Sequence, residues 1–394
     1  MRGSPTALDM LLQRSPEDQE RKGYRHTASE IASQPSVWLK TLGAVQAAAP
    51  ELSTFMSGSR RLLLAGAGSS HYVGLSTLPL LASAYGCVEA IPSTEILMDP
   101  ESALPREPFV LVSFARSGES PEGNAIVLQA ERRRSGLVRQ LAVTCNRSGG
   151  LAHIVGSLEE RGFVLALPEE SNDKALAMTS SFTSLCLAGA SLAYLERQAD
   201  YAAIVEDLAR GCEGLLARAA DLGSRLADEE FERAFFVASR PLLGGAFEAR
   251  LKVQELTAGR IIASAEDCLG FRHGPMAAVD RGSLVVLYVS RDSTRRLYEF
   301  DLLRELRDKG LGKRIVAASP DVSGLEGLAD EVLDLGGVSS VPDAFLPVLV
   351  AVTGQLIGLF ASLRQDLAPD EPSPGGVISR VVKGVRIHAE SVGK

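Results

Sequence analysis

Short apolar runs recur along the chain, each closed by a polar turn and followed by a segment of helix length. The first series is Leu62–Ala65, Phe109–Phe114, Leu141–Thr144 and Val164–Leu167. The second is Ala234–Ala238, Leu284–Val289, Ile315–Ala318 and Val332–Leu335. Leu141 and Ile315 open matching strands at an offset of 174 (315 − 141), and Val112 to Val286 gives the same offset of 174. A strand–helix spacing that occurs twice predicts duplicated α/β domains with parallel sheets. A helical stretch around Ser184–Leu226 is expected to join them. At the amino end, Met1–Gly23 is polar and reads as a loose arm. Thr27–Ala48 reads as a helix opening on Thr27, with Glu30 at capping-box spacing.

One apolar segment has a second reading. Phe345–Leu363 runs 19 residues without a charge, close to the length that spans a bilayer. It contains Pro347, Thr353, Gln355 and two glycines, and nothing else in the chain resembles it, so a buried helix is expected. With 394 residues, 45% of them hydrophobic, the chain has material for two domains with ample core. The net charge of −8 with scattered Lys and Arg argues against a nucleic-acid partner, but not against a locally bound phosphate. The five cysteines (Cys87, Cys145, Cys186, Cys212 and Cys268) are far apart and show no metal-ligand spacing. They read as reduced thiols of a cytoplasmic protein, and the amino end carries no apolar signal core.

Candidate chemistry begins where two strands end. Phe109–Phe114 runs into Ala115-Arg116-Ser117-Gly118-Glu119-Ser120, and a helix-like run follows from Pro121. Arg61–Ala65 likewise runs into Gly66-Ala67-Gly68-Ser69-Ser70-His71. A strand, a small hydroxyl-rich loop and a helix start bring free N–H groups and the positive helix end to one spot. Ser69, Ser70, Ser117 and Ser120 add hydroxyls, and Arg116 is expected to add a charge-assisted bond. Two such loops predict one phosphorylated small molecule held between them. The loop after Leu284–Val289 reads Ser290-Arg291-Asp292-Ser293 and lacks the Ser-Gly pair, so the first domain is expected to bind the anion. Ligands of such sheets lie beyond the carboxyl ends of the strands.

A second cluster follows Ala234–Ala238. In the helix-like Phe247–Ala258, Glu248 and Lys252 are four apart and Lys252 and Glu255 three apart, so all three can share a face. Spacing alone is compatible with a solvated helix stapled by two weak ion pairs. An acid–base set becomes available as well, because His273 follows in a Gly/Pro-framed turn, Gly270-Phe271-Arg272-His273-Gly274-Pro275.

These residues together resemble the sugar isomerase (SIS) superfamily. GAGSS and ARSGES look like its paired phosphate loops, and EARLKVQEL followed by GFRHGP resembles the isomerase half of glucosamine-6-phosphate synthase. Closer still is the galactosamine-6-phosphate deaminase/isomerase family, also called tagatose-6-phosphate ketose/aldose isomerases. Similar to that family are Glu30-Ile31 with Gln34-Pro35 and Trp38, Thr144-Cys145-Asn146, Ala177–Ser181, Glu255–Gly259 and Arg380–Val385. The resemblance runs from about Thr27 to His388.

The resemblance implies two tandem three-layer αβα SIS domains with parallel five-stranded, flavodoxin-like sheets. The expected divisions are an N-terminal arm and helix (1–48), a phosphate-binding domain (49–215), a domain with the catalytic helix and histidine loop (216–366) and a C-terminal active-site tail (367–394). It implies phosphate and sugar contacts from Ser69, Ser70, Arg116, Ser117 and Ser120. Glu255 falls where a carboxylate moves a proton between C2 and C1, and Lys252 occupies the neighbouring lysine. His273 falls where a ring-opening histidine reaches in from the other subunit, so a homodimer with shared sites is implied. Lys383 matches a lysine of the synthase's carboxy-terminal loop. The expected reaction converts a hexosamine 6-phosphate, D-galactosamine 6-phosphate first, to D-tagatose 6-phosphate and ammonia, with no metal or organic cofactor. The base role requires Glu255 to be partly buried. A nitrogen-independent aldose/ketose isomerase, a glucosamine-6-phosphate deaminase and a non-catalytic sugar-phosphate sensor remain as alternatives.

Overall fold

The structure, a computed structural model, describes residues 4–382 and 384–388, so Lys383 lies outside the described residues. The amino end corrects the expectation of a loose arm. It forms α1 (Ala7–Leu12), α2 (Pro16–Arg21) and the long α3 (Arg25–Met56). Thr6 and Asp9 make a reciprocal capping box on α1, and Ser15 caps α2 ahead of Pro16. Ala7, Leu8 and Leu11 are buried, and the Ala7 N–H donates to Asp221 Oδ1 at 2.7 Å. This polar stretch therefore carries a narrow apolar stripe that only a neighbour makes useful.

Thr27 is not a cap, because α3 opens at Arg25 with Tyr24 in the cap position. The Thr27 N–H and hydroxyl both donate to Asp370 Oδ1, at 2.7 and 2.8 Å. Glu30 Oε1 accepts from the N–H groups of Lys174 and Ala175. The capping-box spacing thus serves two tertiary contacts instead of the helix start.

The first sheet is built by β1 (Arg61–Gly66), α4 (Ser69–Tyr85), β2 (Cys87–Pro92), α5 (Ser93–Met98), α6 (Pro100–Ala103), β3 (Phe109–Ala115), α7 (Pro121–Arg133), β4 (Val138–Thr144), α8 (Gly150–Gly156) and β5 (Gly162–Ala166). Its strands are parallel in the order β2-β1-β3-β4-β5. Then α9 (Ser180–Ser191) and α10 (Gln198–Ala227) lead into the second half. That half comprises β6 (Arg233–Ala238), α11 (Leu243–Leu256), β7 (Ile262–Asp267), β8 (Ser283–Tyr288), α12 (Ser293–Asp308), β9 (Arg314–Ser319), β10 (Glu331–Asp334) and α13 (Pro347–Arg364). Read from its other edge, the second sheet runs β7-β6-β8-β9-β10, all parallel, which is the first sheet's order repeated. The offset of 174 therefore relates matching strands of two flavodoxin-like sheets. The expected division at 215/216 falls inside α10, which packs on α3 as well as on α13.

The central helices lock the halves together. Every residue of α13 from Pro347 to Ser362 is buried, as expected for the uncharged segment. By length and composition Asp343–Arg364 is apolar enough to cross a membrane, yet 94% of its most apolar window is buried inside the protein. A buried polar chain joins three helices: Trp38 Nε1 donates to Thr183 Oγ1 (2.9 Å), Thr183 to Gln34 Oε1 (2.8 Å), and Gln34 Nε2 to Gln355 Oε1 (2.8 Å). Each polar atom in that line has a partner, so burial costs little.

Candidate active site

The order of the first sheet reverses between β1 and β3, and both serine loops lie at their carboxyl ends. Ser69–Ser70 open α4, and Ser120 caps α7 by accepting the Gly123 N–H at 3.2 Å. Gly66 is required, because a Cβ there would sit 2.4 Å from the Ser70 carbonyl carbon. The loops enclose a cavity of about 150 Å³ lined by Ser70, Ser113, Arg116, Ser117, Ser120 and Met178, among others. The tail residues Arg380, Val381 and Val382 form part of its wall.

Two of the expected anion contacts have hydrogen-bond partners within the protein. The buried Arg116 guanidinium donates to three backbone carbonyls: Ala175 (3.1 Å), Leu176 (2.8 Å) and Arg380 (2.6 Å). It binds the loop 172–176 and the tail to the cavity wall, so most of its donors are already committed. Arg380 returns the contact through Asp173 O and Asn172 Oδ1. Ser69 does not line the cavity. Its hydroxyl donates to Glu248 Oε1 at 3.0 Å and accepts from Lys252 Nζ at 3.2 Å. Ser70, Ser117 and Ser120 do line it. The Ser120 hydroxyl is turned toward Glu122 Oε2 at 2.9 Å, and Ser117 Oγ accepts the Glu119 N–H.

The acid–base cluster comes from the second half. Helix α11 packs on α4, and Gly244 permits it: a Cβ there would meet the Ser76 backbone N at 2.5 Å. Two helical turns further along α11, and two back along α4, Lys252 meets Ser69. Lys252 Nζ faces Ser69 Oγ (3.2 Å), Glu248 Oε1 (3.3 Å) and Glu255 Oε2 (2.5 Å), one acceptor for each ammonium N–H. Glu248 and Lys252 are sealed, with side chains 0% and 1% exposed, whereas Glu255 keeps 23%. The solvated-helix reading therefore fails, and the partial burial required of Glu255 is present.

Electrostatics follow from the burial. Loss of hydration pushes the Glu248 carboxyl up to about 7, although the Lys252 ammonium pulls the other way. Burial alone would lower the Lys252 pKa, but Glu248 and Glu255 together hold it above its ordinary value. Lys252 thus stays charged, with no N–H left over for a substrate oxygen. Its 2.5 Å contact places it to orient Glu255. Glu248 is the residue that sequence reasoning noted but left out of the site; its i, i+4 spacing to Lys252 was the available signal.

His273 is not brought to this cluster within one chain. It is exposed on the turn after β7, at the edge of the second sheet, and does not line the cavity. Its backbone is held by a bond from its N–H to Gly270 O, and Arg272 beside it pairs with Glu305.

Comparison with known proteins bears on this arrangement. No family profile matches the chain. It is 40% identical over 374 residues to a Streptomyces coelicolor protein provisionally named D-galactosamine-6-phosphate deaminase AgaS, covering 92% of this chain and 95% of that one. A solved Clostridium novyi structure, provisionally called a tagatose-6-phosphate ketose/aldose isomerase, superposes with a TM-score of 0.90 at 32% identity, covering 96% and 99% of the two chains. The tagatose-6-phosphate ketose/aldose isomerase of Escherichia coli gives a TM-score of 0.82 at 30% identity, over 92% and 96%. Strand order, paired serine loops and likeness over nearly the whole length agree, and the chain belongs to the AgaS-type galactosamine-6-phosphate deaminase/isomerase family of two-domain SIS proteins.

Proposed function

We propose that this protein deaminates and isomerises a hexosamine 6-phosphate, D-galactosamine 6-phosphate first, to the ketose 6-phosphate and ammonia. The observation that carries this reading is the partly exposed Glu255 carboxylate, bridged by Lys252 to the first serine of the first serine loop, Ser69. The names of its relatives support the substrate class. Ser70, Ser117 and Ser120, with the loop N–H groups, hold the phosphoryl end, and that fixes the sugar's other end for reaction. Ser120 turns its hydroxyl from Glu122 to the ligand. His273 opens the ring, Glu255 takes the C2 proton, and its return to C1 leaves a 2-imine. Water adds at C2, ammonia departs, and the ketose remains. Lys252 orients Glu255 throughout. Plain aldose/ketose exchange is the second reading, and it needs no nitrogen. Incubation with galactosamine and glucosamine 6-phosphates, read for ammonia and for ketose, separates them. Stoichiometric ammonia is expected from the galacto substrate; ketose formed from the nitrogen-free aldose 6-phosphate, with no ammonia from either amine, would overturn the deaminase reading.

The exposure of His273, away from its own chain's cavity, supports a homodimer in which the histidine acts in the neighbouring site. Inactive His273→Ala and inactive Glu255→Gln chains, mixed after reversible dissociation, should regain up to about a quarter of wild-type activity, the fraction of sites free of both lesions in a random pool of dimers. No regain would place His273 in its own chain's site. The five free cysteines, four of them buried, suit a reducing compartment such as the cytoplasm.

A further inference from the structure

The second sheet has the same reversal of strand order, between β6 and β8, and the same pair of loops beyond it. There the slot is filled by the chain itself. Glu299 of α12 is fully buried, and its Oε2 accepts from both the N–H (2.9 Å) and the hydroxyl (3.1 Å) of Ser290, in the loop after β8. The Ser239 side chain, in the loop after β6, favours the charged form of the same carboxylate. One buried carboxylate thus occupies this switch point, held by the N–H and hydroxyl of the β8 loop, where a phosphoryl group would lie in the first half. Its Oε1 has no hydrogen-bond partner among the described residues. The duplication makes the contrast specific: position 299 maps to 125 at the strand offset (299 − 174), and α7 carries Ala125, Ile126 and Val127 there. Ile126 lines the open cavity of the first half.

We infer that Glu299 is an internal anion that closes an oxyanion slot in the second half, so that each chain keeps a single open phosphoryl site. Burial raises the Glu299 pKa, and Ser239 and the two Ser290 bonds oppose that rise, as they would favour any oxyanion placed there. Removing the side chain beyond Cβ vacates four heavy atoms, the size of acetate, so acetate is the closest replacement and phosphate a slightly larger one.

The test is rescue of Glu299→Ala by added anions, with thermal unfolding read against chloride at equal ionic strength. Acetate is expected to raise the Tm of Glu299→Ala by several degrees while leaving wild type and Glu299→Gln unmoved. Phosphate is expected to raise the variant's Tm by more than it raises that of wild type. The variant-minus-wild-type difference does not depend on whether the first-half loops bind phosphate, so failure of the proposed function leaves this result readable. A folded Glu299→Ala that responds to acetate no more than wild type overturns the inference. So does an equal response from Glu299→Gln, whose amide still fills the slot. If Glu299→Ala purifies only with acetate or phosphate present, the inference stands. If it stays insoluble with and without both, while Glu299→Gln folds and is equally unresponsive, the slot accepts no free anion and the inference falls.

Discussion

Exchanging Glu255 for glutamine lowers kcat by roughly 10²–10⁴-fold, the usual worth of a positioned general base, and leaves the sugar-phosphate Kd near its wild-type value. The amide is isosteric and can still accept from Lys252, so α11 keeps its place. It cannot take a proton from carbon. Binding is spared because Ser70, Ser117 and Ser120 lie on loops of the other half, around a cavity whose lining does not include Glu255. Calorimetry gives the Kd. Exchange of the substrate C2 proton with deuterated solvent, followed by NMR, reports the step itself. Exchange at the wild-type rate in Glu255→Gln would remove this carboxylate from the base role.

Lys252→Ala should be the most destabilising single change at the site, by about 3–5 kcal/mol, the typical result of stripping one partner from a buried ion pair. It leaves Glu248, already fully buried with Oε2 unpartnered, without its cation, and releases Glu255. The pH dependence has a definite sign. The Glu248 carboxyl sits near 7 in the folded protein against an ordinary 4.5, so its neutral form is favoured on folding and stability falls as pH rises through that range. Removing the ammonium pushes it further up. The variant's deficit is therefore largest at alkaline pH and shrinks as pH falls toward about 7, below which Glu248 is neutral in both folded proteins and the deficit levels off. Denaturant unfolding at several pH values checks this. In a cycle with Glu248→Gln, the double variant should recover much of the loss. A deficit that does not change with pH would show that packing, not charge, is what Lys252 supplies.

Much of the architecture was legible because parallel strands buried on both faces need unbroken apolar runs. Eight of the ten strands among the described residues coincide with such runs. The two that escaped, β2 and β7, are edge strands. Cys87–Pro92 is nowhere fully buried, and Ile262–Asp267 alternates buried and open positions, so neither needs a continuous run. The amino-terminal helices escaped for a related reason, since their stripe of Ala7, Leu8 and Leu11 is too short to stand out from polar surroundings.

At the site, the residues were legible but not their partners. Local sequence alone determined that two strands end in serine loops at helix starts, and that Glu248, Lys252 and Glu255 share one helical face, because both depend on spacing within a single element. Only the tertiary structure decided that Ser69 turns from the cavity to Lys252, that Arg116 grips the tail, and that Glu299 fills the second slot. Those outcomes depend on which helix lies against which. A hydrogen bond across 183 or 264 residues of chain leaves no periodic trace in either segment.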